Sequence, residues 1–194
     1  MELIRCFLAI EYPKKILDLI NQISREMQSA FPPGCVRWVP QKNLHLTVKF
    51  LGEITPVQFN ELRTNLRPVC ADSPPIPLHI MGKGVFPNLR SPKIIWIGAE
   101  DSLPLLTFAE RCEETCTQTG ILTEKRPFKP HLTIGRTQRD ISETHIRWIG
   151  EYFRSSPVPE FGHFTADHVI LFRSELHPAG PIYSPMETFL LQGE

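Results

Sequence analysis

The chain has 194 residues, 41% of them hydrophobic, which suffices for one domain or two small lobes sharing a core and calls for no staples. Lysine plus arginine and aspartate plus glutamate balance at 21 each, excluding a general basic surface that holds long nucleic acid by charge alone, so any nucleic-acid contact is expected to be local. The five cysteines Cys6, Cys35, Cys70, Cys112 and Cys116 are odd in number and scattered, which points to free thiols and a reducing, cytoplasmic setting.

The N-terminal MELIRCFLAI fits neither a signal peptide nor a membrane span, because Glu2 and Arg5 interrupt a short apolar run. Residues 3–10 read as a strand with Ile4, Cys6, Leu8 and Ile10 on one face and Arg5, Phe7 and Ala9 on the other. A helix follows Pro13, its buried stripe formed by Ile16, Ile20, Ile23, Met27 and Ala30. After FPPGC come a short strand VRWV and a second strand in NLHLTVKF, residues 43–50. Thr55, Pro56 and Gln58 supply an N-cap, a first-turn proline and a capping-box partner for a helix carrying Phe59, Leu62, Leu66 and Val69. Residues 76–86 read as a strand, and FPNLRSP as the loop into a strand at 93–98.

The second half repeats this order. A helix spans roughly 103–119 with Gly120 as its C-terminal cap, and the strand HLTIGR follows. Next come a helix from about Ser142 to Arg154 and strands at about 161–173 and 182–191. Each half reads strand, helix, HLT strand, helix, strand, which an internal duplication over approximately 1–90 and 91–194 explains. The implied fold class is α+β: two pseudo-symmetric lobes, each an antiparallel sheet with helices on its outer face, around a central cleft.

In NLHLTVKF, Leu44, Leu46, Val48 and Phe50 alternate with His45, Thr47 and Lys49, the period of a half-buried strand. The apolar face suits the helices, so His45 and Thr47 point into the cleft, as do His131 and Thr133 in KPHLTIGR. One His-x-Thr is a weak signal, but the duplicated triplet sets two imidazoles and two hydroxyls opposite each other. In-line displacement at phosphorus requires that arrangement, with proton-transfer groups on either side of the phosphate. Histidine serves both posts, since a pKa near 6.5 keeps base and acid forms populated together. Each threonine hydroxyl can donate to a non-bridging oxygen, and the scheme calls for no metal or other cofactor.

These segments, with RCFLAI at the start, RWVPQKNLHLT before the first motif, FPNLRSPKIIWIG in the middle, RPFKPHLTIGR at the second and SELHPAGPIYSPMETFLL at the end, resemble the two-histidine phosphoesterase superfamily. Within it the chain is most similar to the RNA 2′,3′-cyclic phosphodiesterase family, also called 2′-5′ RNA ligase, over nearly its whole length. The resemblance implies metal-independent hydrolysis of a terminal 2′,3′-cyclic phosphate on RNA to a 2′-phosphomonoester. It also implies that His45 protonates the departing 3′-oxygen and His131 activates water, whereas the residues alone fix the pair and not the roles. With a 5′-hydroxyl in place of water, the same pair can join ends through a 2′-5′ bond. Gly135 departs from the family pattern, where a slightly larger small residue is common.

Further substrate-binding candidates are less specific. Lys49 shares the His45 and Thr47 face by parity, and a solvated strand-end lysine is an equal reading. Arg5 and Phe7 share the cleft side of the first strand, with Phe7 either a base platform or core. Alternation puts Arg136 on the Leu132 and Ile134 face, and only an irregularity at Gly135 turns it inward. Phe128 and Tyr183 are read as packing residues before base contacts, and His79, His145, His163, His168 and His177 are assigned no chemistry. The expected partners are RNA ends or oligonucleotides bearing the cyclic phosphate, acting on a monomer with no membrane and no obligate protein partner. The alternatives are a metal-dependent hydrolase recruiting Glu53 or Glu124, a phosphodiesterase for 2′-5′ oligonucleotides or small cyclic nucleotides, and a non-catalytic RNA-binding module.

Overall fold

In the computed structural model, residues 2–178 and 180–194 are described, and among them nine strands and four helices follow the predicted order. The first part runs β1 (Ile4–Ile10), α1 (Lys14–Ala30), β2 (Val36–Trp38), β3 (Leu46–Ile54), α2 (Pro56–Ala71) and β4 (Ile76–Phe86). The second runs β5 (Ile94–Ala99), α3 (Leu103–Gln118), β6 (His131–Thr137), α4 (Glu143–Ser155), β7 (Glu160–Ala166), β8 (His168–Glu175) and β9 (Ile182–Leu190). The single strand expected at 161–173 is two, separated at Asp167.

Local chemistry sets the boundaries. Thr55 caps α2 with a complete capping box: its hydroxyl accepts from Gln58 N–H while the Gln58 side chain accepts from Thr55 N–H. Gly120 ends α3 at φ +71°, a conformation open to glycine. All five cysteines are free and buried, behaving as small apolar side chains.

The strands form two antiparallel sheets, ordered β3-β1-β8-β9 and β2-β6-β5-β4-β7. The α+β architecture is as expected, and the halves of the chain interleave within it: β2 and β4 join the second sheet, β8 and β9 the first. A boundary near residue 90 thus separates two chain segments and not two sheets. Helices α1 and α4 pack on the second sheet, α2 on the first, and α3 touches β3 and β4. The main core lies under these helices, with Leu8, Ile20, Leu46, Leu62, Ile97, Leu132 and Ile149 all fully buried. On the opposite side of the first sheet Phe7, Ala9, Ile170 and Phe172 form a separate apolar cluster, so β1 is buried on both faces. Strands β3 and β6 approach each other, bringing the two HLT segments together. No described helix is long and apolar enough to cross a membrane.

Candidate active site

His45 stands just ahead of β3, after a short 3-10 turn at Gln41–Asn43, and His131 is the first residue of β6. The two imidazoles are held by the same device. His45 Nδ1 lies 2.9 Å from the carbonyl oxygen of Asn43, and His131 Nδ1 lies 2.8 Å from that of Lys129, each two residues earlier. Because a carbonyl only accepts, both Nδ1 atoms carry hydrogen, which leaves each Nε2 to handle a proton. Thr47 and Thr133 follow two residues on, half-buried on the same faces as their histidines.

Aromatic rings wall both imidazoles. The ring of Phe7 stacks on His45, while Tyr183 meets it edge-on with centroids 5.2 Å apart. Phe86 meets His131 edge-on at 5.0 Å and packs on Trp96, whose indole lies flat over Gly84, where an added Cβ would come within 2.3 Å. This cover shifts the titration of both groups. Burial pushes the His45 imidazole down to about 4, outweighing the Asn43 hydrogen bond, and the nearby His131 adds to the depression. His131 is lowered by burial too, with a smaller contribution from the positive charge of Arg136.

Each HLT strand contains a β-bulge immediately after its threonine. Leu8 opposes Lys49 and Ala9 opposes Thr47, so Val48 is an extra residue in β3. Ile95 opposes Gly135 and Trp96 opposes Thr133, so Ile134 is extra in β6. One extra residue reverses the parity of those that follow up to the next irregularity, which in β3 comes at Leu51.

The reversal corrects the expectation for Lys49. It turns to the helix side, 4% exposed, where its ammonium donates to Glu113 Oε1 at 2.8 Å and to the Leu122 carbonyl at 3.1 Å. Phe50 takes the cleft face in its stead and is 61% exposed, close to Phe7. In β6 the same reversal puts Gly135 on the core side and Arg136 on the cleft side, exposed and near enough to influence His131 and Tyr183. The irregularity that Arg136 required is therefore present.

Phe7 is 3% exposed and packed against His45, Phe172 and Tyr183, so of its two readings the structure places it in the core and not as an open base platform. Arg5 is exposed, and its charge, with that of Arg136, acts on the half-buried Tyr183. Phe128 packs against the main core. Phe50, Phe86 and Tyr183 are thus site residues that alternation does not reveal. Superposing the two HLT copies would have found Phe50, since Phe50 and Arg136 each lie three residues beyond the threonine.

Among the described residues, neither His45 nor His131 belongs to a group of carboxylates and histidines close enough to share a metal ion. Glu124 forms an ion pair with Arg126 that holds its carboxyl below the usual range, and Glu53 is exposed opposite Arg5. The group of described residues that could share a metal ion is His79, Glu160 and His163, on β4 and β7. There His79 lies between Glu100 and Glu160, at 3.1 and 3.0 Å, which raises its pKa. His163, its cross-strand partner, stacks on it at 3.9 Å. An imidazolium donating to both carboxylates satisfies this arrangement without an ion.

The profile of the 2′-5′ RNA ligase superfamily matches residues 6–178. A protein of Aquifex aeolicus named RNA 2′,3′-cyclic phosphodiesterase is 30% identical over 195 residues, covering 100% of both chains. One of the same name from Methanocaldococcus jannaschii is 35% identical over 179 residues, covering 92% of this chain and 96% of its own. A crystal structure of a Thermus thermophilus protein superposes with a TM-score of 0.82 at 26% identity, covering 98% of this chain and 99% of the other.

Proposed function

The chain belongs to the 2′-5′ RNA ligase superfamily, and from that premise we propose that it opens a terminal 2′,3′-cyclic phosphate on RNA to a 2′-phosphomonoester. The observation that carries the reading is the matched pair of imidazoles, each fixed through Nδ1 to the carbonyl two residues earlier and each followed by a threonine on its own face. A water oxygen attacks phosphorus while His131 Nε2 takes its proton, and the bond from phosphorus to the 3′-oxygen breaks as His45 Nε2–H delivers a proton to that oxygen. The Nδ1 bond to Asn43 or Lys129 persists through both protonation states, so one geometry serves acid and base alike. Thr47 and Thr133 donate to the non-bridging oxygens as charge builds, and Arg136 neutralises part of it from the rim. Arg5 adds positive charge on the opposite rim.

With a 5′-hydroxyl as nucleophile the same proton transfers yield a 2′-5′ bond. No step in the scheme calls for a metal. The test is incubation with an RNA ending in 2′,3′-cyclic phosphate, followed by end-group analysis. A 2′-phosphate formed in the presence of exhaustive chelation is expected. A 3′-phosphate overturns the regiochemistry, and loss of turnover on chelation overturns the two-histidine scheme.

A further inference from the structure

Arg37 on β2 and Arg136 on β6 are direct cross-strand partners with side chains on the same face. Backbones at such positions are about 5 Å apart, and like charges directly opposite each other destabilise a sheet. Both arginines line a groove of about 1020 Å³ to which Lys93, Arg139, Asp140 and His145 also contribute. Four cations therefore face one carboxylate, in a chain whose charges balance overall. Among the described residues none of these four cations reaches a carboxylate within ion-pair distance. A pair of arginines held side by side without a carboxylate is a place prepared for an anion from outside.

Resting on the reading of the histidine pair as the RNA-end site, we propose that this groove binds the phosphodiester preceding the reacting end. Arg136 belongs to both the groove and the cleft, since its charge also reaches His131. Arg37 lies one strand farther out, on the edge strand β2, as the preceding phosphate lies one nucleotide farther along the RNA. Two guanidiniums offer planar forks to a phosphate, and Lys93 and Arg139 supply charge from the groove wall. The site thus selects oligonucleotides over cyclic mononucleotides.

The experiment compares two substrates at several salt concentrations: a 2′,3′-cyclic mononucleotide, and a dinucleotide with the same cyclic end, whose one extra phosphate is the group at issue. The wild-type protein is expected to prefer the dinucleotide, with a steeper salt dependence of kcat/KM. Arg37→Ala is expected to lower the dinucleotide-to-mononucleotide ratio of kcat/KM about 10-fold, mainly through KM, and to flatten the salt slope by about 0.7. Arg37→Lys retains part of the preference, and Arg139→Ala, on another segment, lowers it in the same direction. Equal efficiency on both substrates in the wild type, or equal losses on both in Arg37→Ala, overturns the inference while leaving the histidine mechanism standing. Failure of the wild type on both substrates overturns the functional reading itself.

Discussion

The rings of Phe7 and His45 are stacked with centroids 4.6 Å apart and planes inclined by 23°. Phe7 projects from β1, which like its neighbour β8 is apolar on both faces, so a core residue forms the wall of the site. The stack removes water from one side of the imidazole, and burial is the main cause of its lowered pKa. Phe7→Leu keeps an apolar side chain but not the flat cover. The His45 titration, followed by NMR of the ring protons, should rise from about 4 towards 6.5, with kcat falling as the ring gains freedom. An unmoved titration would assign the cover to Tyr183 and Phe172 instead.

Burying His45 has a consequence for acid stability. The folded pKa of about 4 lies below the ordinary 6.5, so between these values the unfolded chain binds more protons than the native one. Stability contributed by the neutral imidazole is complete above pH 6.5 and is lost as pH falls towards 4, by about 3 kcal/mol. Urea unfolding at a series of pH values should show the slope, and His45→Asn should flatten it.

The same shifts predict two different pH profiles. Both imidazoles are lowered in the free protein, so the alkaline limb of kcat/KM, which reports the group that must be protonated there, falls below pH 6.5. An anionic phosphate between the rings favours imidazolium, so the limb of kcat should lie at higher pH. Coincident limbs would show that the phosphate does not sit between the histidines.

Removing either histidine tests the pair directly. His45→Ala and His131→Ala should each lower kcat by about 10²–10⁴-fold with an unchanged far-ultraviolet spectrum, and the double variant should lose little more. Thr47→Val and Thr133→Val should each cost about 10-fold or more as a donor to the phosphate disappears.

Periodicity carried the helix stripes, the apolar side of both HLT strands as far as the threonines, and the duplicated triplets. It failed at Lys49 and Phe50 because parity survives only while strand registers are unbroken, and the extra residue at Val48 leaves no mark in the sequence. At Arg136 the sequence offered a clue, a glycine two residues beyond the threonine, and the bulge lies beside it. The interleaving of the halves was hidden for another reason. A duplication fixes the order of elements but not the sheet each strand joins, which depends on edge pairings such as β2 with β6.

Lys49 separates a structural role from a phosphate-binding one. Its ammonium is bonded to Glu113 and to the Leu122 carbonyl, tying β3 to the loop that leads to His131. Lys49→Met leaves both acceptors without their donor, with Glu113 a quarter exposed and able to recover some water. A loss of about 2 kcal/mol or more is expected in urea unfolding, part of it recovered in Lys49→Met with Glu113→Gln. The salt dependence of kcat/KM should not change. A flatter salt slope with intact stability would return Lys49 to the substrate.

Gly135 gives the corresponding test of the bulge in β6. A Cβ there would lie 2.8 Å from Val36 Cγ1 and 3.2 Å from the Trp38 ring, so glycine is required by the close seating of β2 on β6 and not by an unusual φ. Gly135→Ala forces β2 outward or the bulge flat, at about 1–3 kcal/mol by the usual cost of overpacking. Flattening the bulge would restore plain alternation and carry Arg136 back towards the core side, so KM for RNA substrates should rise along with the loss in stability. Val36→Ala removes the atom that the new methyl meets. Alone it should destabilise the protein by deleting core methyls, but in the Gly135→Ala background it should regain stability and lower KM again. Simple additivity of the two substitutions would mean that the glycine does not hold Arg136 in the cleft through this contact.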